Sequence, residues 1–143
     1  MRRSIGVAVS DNIATGVVEG GKLTGKLHTL AEAASASESL LTLPAEAIAQ
    51  KISQQILAAA DGQPVDAIGA GFPGIIRNGV IEESPNLQQL KGAAMVDLIR
   101  GHLRSSGLEA PIFIYNDADT VAAGLAARRD QLDRNIRVWT LGN

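Results

Sequence analysis

Apolar residues alternate with small ones from the start of the chain. Ile5, Val7 and Val9 recur at every second position, the period of a strand with one buried face. Ser10-Asp11-Asn12 breaks the alternation as a turn cluster, and residues 13–19 read as a second strand returning from it. Glu19-Gly20-Gly21-Lys22 is a hairpin signal, which makes residues 23–30 a third strand. The three are expected to form an antiparallel meander.

The period then changes. Residues 31–41 are small and polar, with Ser35, Ser37 and Ser39, and read as a connector holding at most a partial helix. A helix is expected from Pro44, a residue that suits a first helical position. Ile48, Ile52 and Ile56 draw its apolar stripe, and Asp61-Gly62 ends it. Residues 67–71 form a short, small-sided strand, Phe72-Pro73-Gly74 a turn, and residues 75–81 a hairpin about Asn78-Gly79. Ser84-Pro85-Asn86 leads into a second helix, striped by Leu87, Leu90, Ala94, Leu98 and Ile99 and stopped by Gly107. Asn86 is most simply its N-cap. A strand over 111–115, a helix over 120–129 and a last strand over 136–141 complete the order β-β-β-α-β-α-β-α-β. There is no internal repeat.

Composition narrows the class. The 143 residues suit a single domain, 1–143. With 45% hydrophobic and 20% charged residues, a packed core is expected rather than disorder. Aromatics are only 3%, so Ala, Val, Ile and Leu must build that core. A net charge of −2 gives no global case for nucleic acid as a partner. The absence of cysteine excludes disulfides and thiolate metal ligands within the chain, and His28 and His102 stand alone, so no zinc site is supported. The apolar run 5–9 is too short for a signal-peptide core, and no stretch could span a bilayer. A cytoplasmic protein without a membrane partner is expected. The chain stops at Gly142-Asn143, just after the last expected strand, where a glycine turn should continue; it reads as a fragment of a longer protein.

Asn116-Asp117-Ala118-Asp119 is the segment richest in chemistry. An amide and two carboxylates sit where a strand hands over to a helix, and ligand sites in open α/β sheets gather beyond the carboxyl ends of strands. A carboxylate held at a helix N-terminus is favoured in its ionised form and could take a proton from a substrate hydroxyl. Equally, Asp117 or Asp119 could simply cap the helix. The glycine-dense stretch 66–74 fits a dinucleotide fingerprint poorly, because no helix opens directly after it. Arg128, Arg129, Asp130, Asp133, Arg134 and Arg137 mix both signs, as a solvated helix end does. Asp11, Asp66 and Asp117 could also be read as a metal-dependent nuclease cluster, but Asp66 lies at a strand start, the far end of the sheet from the other two.

In their order, three segments resemble the N-terminal domain of the ROK family, the sugar kinases and sugar-responsive repressors of the actin-like ATPase superfamily. They are the opening hairpin over 5–19, the stretch from Gly71-Phe72-Pro73-Gly74 to Ser84-Pro85-Asn86-Leu87, and Asn116-Asp117-Ala118-Asp119. The resemblance implies an α/β, actin-like (ribonuclease H-like) fold, with the meander followed by alternating helices and parallel strands. It implies a kinase that transfers phosphate from ATP to a sugar hydroxyl. By that resemblance Asp117 falls on the general base, Asn116 on a sugar-hydroxyl ligand, and Gly74 and Asn86 on positions lining the same pocket.

The first phosphate loop departs from the family's Asp-x-Gly-Gly-Thr. Here Ala8-Val9-Ser10-Asp11-Asn12 stands in its place, so Ser10, Asp11 and Asn12 form a degenerate loop. Ala8 offers magnesium no ligand, and Asp11 would repel ATP phosphates. A shift of one or two residues could bring Asp11 into the missing role, but residues 5–19 align without a gap. ATP and magnesium are therefore expected in an intact homologue and not bound tightly here, and this chain alone is expected to be inactive. Family members continue with a second phosphate loop, of which Thr140-Leu141-Gly142-Asn143 reads as the start, and with a C-terminal domain expected to be missing from this chain. The repressor branch carries a helix-turn-helix before its first strand, and because the strand here opens at once DNA binding by this chain is not expected. The rival reading is a non-enzymatic sugar-sensing or assembly module derived from such a kinase. Homo-oligomerisation is open under both.

Overall fold

The computed structural model describes residues 2–29, 39–130, 132–135, 137 and 139. Strands β1 (Arg3–Val9), β2 (Ile13–Glu19) and β3 (Lys22–Thr29) form the expected meander. β1 and β2 pair without a gap from Arg3↔Glu19 to Val9↔Ile13. Then follow α1 (Ala45–Ala60), β4 (Ala67–Phe72), the hairpin β5 (Ile75–Arg77) and β6 (Val80–Glu83), α2 (Met95–Ser105), β7 (Ile112–Asn116) and α3 (Asp117–Arg128). The main sheet has the order β3-β2-β1-β4-β7. β4 runs parallel to both β1 and β7, so the carboxyl ends of these three strands open on one edge.

Alternation decides which face is filled. Ile5, Val7, Val9, Ile68, Ala70, Phe72, Ile112 and Ile114 turn toward α1 and α2 and are buried with them. Ile48, Ile52, Ile56 and Leu90 are at 0% exposure, as their spacing requires, while Leu98 is half-buried at the margin of the same core. Burying each such side chain stabilises the fold by about 1.5–3 kcal/mol. The other face carries Gly6, Gly69 and Gly71. A Cβ on Gly71 would lie 2.6 Å from Thr120 Oγ1, so this face receives α3 at close range.

Three element starts differ from the expectation. Pro44 occupies the N-cap of α1 rather than its first turn, with ψ 160° and its carbonyl accepting the Ile48 N–H. Asn86 caps no helix. Leu87 and Leu90 are buried, but Gln88–Leu90 is a single 3-10 turn, Gly92 adopts φ +78°, and α2 starts only at Met95. The backbone of this segment is bonded to β6 instead: Gly92 N–H donates to Ile81 O at 2.7 Å and Ile81 N–H to Ala93 O at 3.1 Å. A local sheet contact has displaced the helical pattern. Finally, α3 begins at Asp117, three residues before position 120, because Asn116 accepts the Ala118 N–H and supplies the cap.

The expected connector lies mostly outside the described residues, apart from a 3-10 turn at Leu40–Thr42. The strand expected over 136–141 also lies largely outside them. Among the described residues no helix is long and apolar enough to cross a membrane.

Candidate functional site

The carboxyl edge of the sheet gathers the chemistry. β4 ends at Phe72, which pairs with Asn116 at the end of β7. The chain must then turn sharply, and Pro73-Gly74 does so with Gly74 at φ +124°, a backbone state that L side chains rarely adopt. Two side chains from distant segments hold this turn. Ser84 Oγ donates to Pro73 O at 2.7 Å, and the serine is buried. Asn116 Nδ2 donates to Gly74 O at 2.7 Å. The turn, the Ser84 segment and the β7–α3 junction are thereby fixed to one another.

Asn116 works in both directions. Its Nδ2 grips Gly74 while its Oδ1 accepts the Ala118 N–H at 2.9 Å. One N–H and one lone pair of the amide remain for a ligand. Asn116→Asp is expected to keep the helix cap, since Asp caps as well as Asn. It replaces the donor to Gly74 O with a carboxylate oxygen facing a carbonyl. The expected loss is about 1–3 kcal/mol, read as a lower urea midpoint; an unchanged midpoint would mean that the Gly74 contact contributes nothing.

Asp117, the first residue of α3, is exposed beside this clamp. Its Oδ1 shares the Ala118 N–H at 2.9 Å, and its Oδ2 makes no hydrogen bond among the described residues. Thr120 Oγ1 donates to Asp117 O at 2.6 Å and sits over Gly71, which seats the helix start on the end of β4. An exposed carboxylate is thus held at a fixed place on the edge with one oxygen open. Neither Ser84 nor the Gly71–Thr120 contact was foreseeable from spacing, because each depends on which strands become neighbours.

Asn86 lies two residues beyond Ser84, exposed and without a hydrogen bond among the described residues. Ser10, Asp11 and Asn12 form the β1–β2 turn at the same edge, since Ala8 pairs with Gly71 of β4. That turn is closed on itself: Ser10 N–H donates to Asn12 O at 2.9 Å and Ser10 Oγ to Asp11 Oδ1 at 3.0 Å. With Val9 paired to Ile13 there is no slack for a shifted loop. Asp66 is at the other edge, where it accepts the Arg3 N–H at 2.7 Å, so the three aspartates of the nuclease reading do not converge. Among the described residues no group of three or more His, Asp or Glu could hold a metal ion. His102 bridges instead to Glu46 at 2.8 Å, joining α2 to α1. A cleft of about 340 Å³ between α2 and β7, lined by Arg100, Arg104, Leu108 and Pro111, opens at the amino end of β7, away from these residues.

No protein-family model matches the chain, and no curated protein matches it in sequence. Solved structures do. A ROK family glucokinase from Streptomyces griseus, in complex with glucose and AMPPNP, superimposes with a TM-score of 0.68 at 24% identity, covering 87% of this chain and 36% of its own. The chain has the fold of the sugar kinases. An inorganic polyphosphate/ATP-glucomannokinase from Arthrobacter sp. strain KM gives a TM-score of 0.63 at 22% identity over 89% of this chain and 49% of that one. The ROK hexokinase of Thermus thermophilus gives 0.61 at 20% over 84% and 37%. This chain therefore spans half or less of the length of each of these proteins. The actin-like α/β architecture expected from the sequence is the one observed.

Proposed function

We propose that this chain is the N-terminal domain of a ROK-type sugar kinase, built to transfer phosphate from ATP to a sugar hydroxyl, with its first phosphate loop degenerate. Asp117 is the base that takes the hydroxyl proton. Asn116, through its remaining N–H and lone pair, and Asn86 hold sugar hydroxyls, while the Gly74 turn lines the pocket. The observation that carries this reading is the double clamp on Pro73-Gly74 from Ser84 and Asn116, with the open carboxylate of Asp117 next in the chain. Amides, which donate and accept, and a carboxylate, which accepts, together suit a polyhydroxylated ligand. A cytoplasmic setting and a C-terminal domain as the missing half of the cleft complete the proposal.

The residues present do not fit magnesium or ATP. Ala8 offers no metal ligand, the Ser10–Asn12 turn is closed by its own hydrogen bonds, and Asp11 places a carboxylate where phosphate would come. The same observation favours the second reading, a sugar-sensing or assembly module that kept the fold and lost phosphoryl transfer. Calorimetric titration of Mg·ATP into the chain is expected to give weak heat or none. A dissociation constant in the micromolar range would refute the placement of this loop.

The sugar pocket is tested by titrating glucose into ¹⁵N-labelled chain. Amide shifts are expected to cluster at Gly74, Asn86, Asn116 and Asp117 and to saturate. Saturable shifts centred elsewhere, or none at all, remove both sugar readings together.

A further inference from the structure

The cleft at the amino end of β7 has a fixed wall that the sugar reading does not use. One reversal of the chain builds it. Gly107, at φ +81°, stops α2, and the Leu108 N–H returns to Leu103 O at 3.0 Å. Residues 108–112 then run back past the end of the helix, and Pro111 O accepts the Ile68 N–H at 2.9 Å, which ties this wall to the sheet. Leu103 and Ile112, both buried, and half-buried Leu108 give the cleft its apolar lining. The space between helix and wall, about 340 Å³, lies in the range of small-molecule sites.

Its polar lining is cationic. Arg100 and Arg104 stand four residues apart on one side of α2, and both line the cleft. Each is steadied by a single carboxylate: Arg100 Nη1 meets Asp97 Oδ1 at 2.9 Å, and Arg104 Nε meets Glu109 Oε1 at 3.0 Å. A guanidinium carries five N–H donors, so most of each fork is left for a ligand. Of the two carboxylates only Glu109 lines the cleft, against both arginines. The carbonyls at the negative end of α2 are engaged as well: Leu103 O accepts the Ser106 and Leu108 N–H groups, and Arg104 O accepts that of Gly107. Like charges four apart on a helix repel, and an anion seated between them relieves the repulsion. Surface ion pairs alone account for the charges, but not for a preformed apolar recess beside them. We propose that this cleft binds a small amphipathic carboxylate, an acyl acid whose head bridges Arg100 and Arg104 and whose body lies against Leu103, Leu108 and Ile112. The mostly apolar lining selects such a ligand over a bare anion. The cleft is at the opposite edge of the sheet from Asp117, and α3 packs on the other face, so this site stands independently of the sugar reading.

Titration of sodium octanoate into the ¹⁵N-labelled 143-residue chain tests the site. Saturable amide shifts are expected at Leu103, Arg104, Leu108 and Ile112. Acetate, the same head without the body, and 1-octanol, the same body without the charge, are each expected to bind at least about tenfold more weakly. Arg100→Gln combined with Arg104→Gln is expected to weaken octanoate by at least about tenfold as well, since hydrogen bonds to charged groups are the strong ones. Both positions are partly exposed and Gln is a good helix former, so the variant is expected to keep the parent's urea midpoint. Octanoate shifts that do not saturate, or that centre elsewhere, overturn the site. So does acetate or 1-octanol binding as tightly as octanoate, or a folded double variant that binds octanoate as the parent does.

Discussion

Gly74→Ala is expected to destabilise the chain by about 2–6 kcal/mol, a large share of the roughly 5–15 kcal/mol that holds a domain of this size together. Two costs combine. The residue sits at φ +124°, where a Cβ strains the backbone by about 1–3 kcal/mol. That Cβ would also fall 1.9 Å from Glu83 O and 2.9 Å from Ser84 Cα. Both obstacles are backbone atoms at the end of β6, which cannot swing aside as a side chain would, and such overpacking adds about 1–3 kcal/mol. Relief requires the turn to retreat from residues 83–84. Retreat breaks the Ser84 Oγ–Pro73 O and Asn116 Nδ2–Gly74 O bonds, so pocket and stability fail together. Gly107→Ala is the control: φ is +81°, but nothing lies within 4 Å of the added carbon, so it carries the backbone strain alone. Urea midpoints of the two variants decide it, and equal midpoints would show that the clamped turn yields freely.

Much of this edge is legible in the sequence. The period-two pattern of Ile5, Val7 and Val9 and the Gly20-Gly21 turn dictate the meander, because a strand with one buried face has no other way to sort its side chains. The shared edge then follows from chain direction: strands expected to end at Gly71 and Tyr115 and to run parallel must open on the same side, and their pairing brings Gly74 beside Asp117. What stayed hidden was set by neighbours rather than by period. The leucines at 87 and 90 keep helical spacing and are buried, yet the 92–93 backbone bonds to Ile81 and delays α2 to Met95. The start of α3 was hidden because its first three residues, 117 to 119, carry no large apolar side chain to mark the helical period. Ser84 reads as an ordinary loop serine until the fold sets Pro73 O within its reach. The roles proposed for Asn86, Asn116 and Asp117 rest on likeness of motif and on placement at one edge.

In a longer protein that carries this domain and transfers phosphate, Asp117→Asn is expected to lower kcat by about 10²–10⁴ while leaving sugar affinity largely intact. The substitution is nearly isosteric. An amide oxygen can keep the 2.9 Å contact with the Ala118 N–H, and Asn116 still caps the helix, so neither the start of α3 nor the Gly74 clamp should move. What is lost is the ability to accept the hydroxyl proton as the oxygen attacks phosphorus. A fall in kcat at nearly constant sugar affinity is therefore the signature of a base, because an interaction absent from ground-state binding has been removed from the transition state. The urea midpoint of the variant domain serves as the guard against misfolding and is expected to stay within about 0.5 kcal/mol of the parent, the usual range for an exposed position. If kcat changes by less than about threefold and only sugar affinity falls, Asp117 is a ligand and not a base. That outcome would favour the sensing module, since its site has no proton to move.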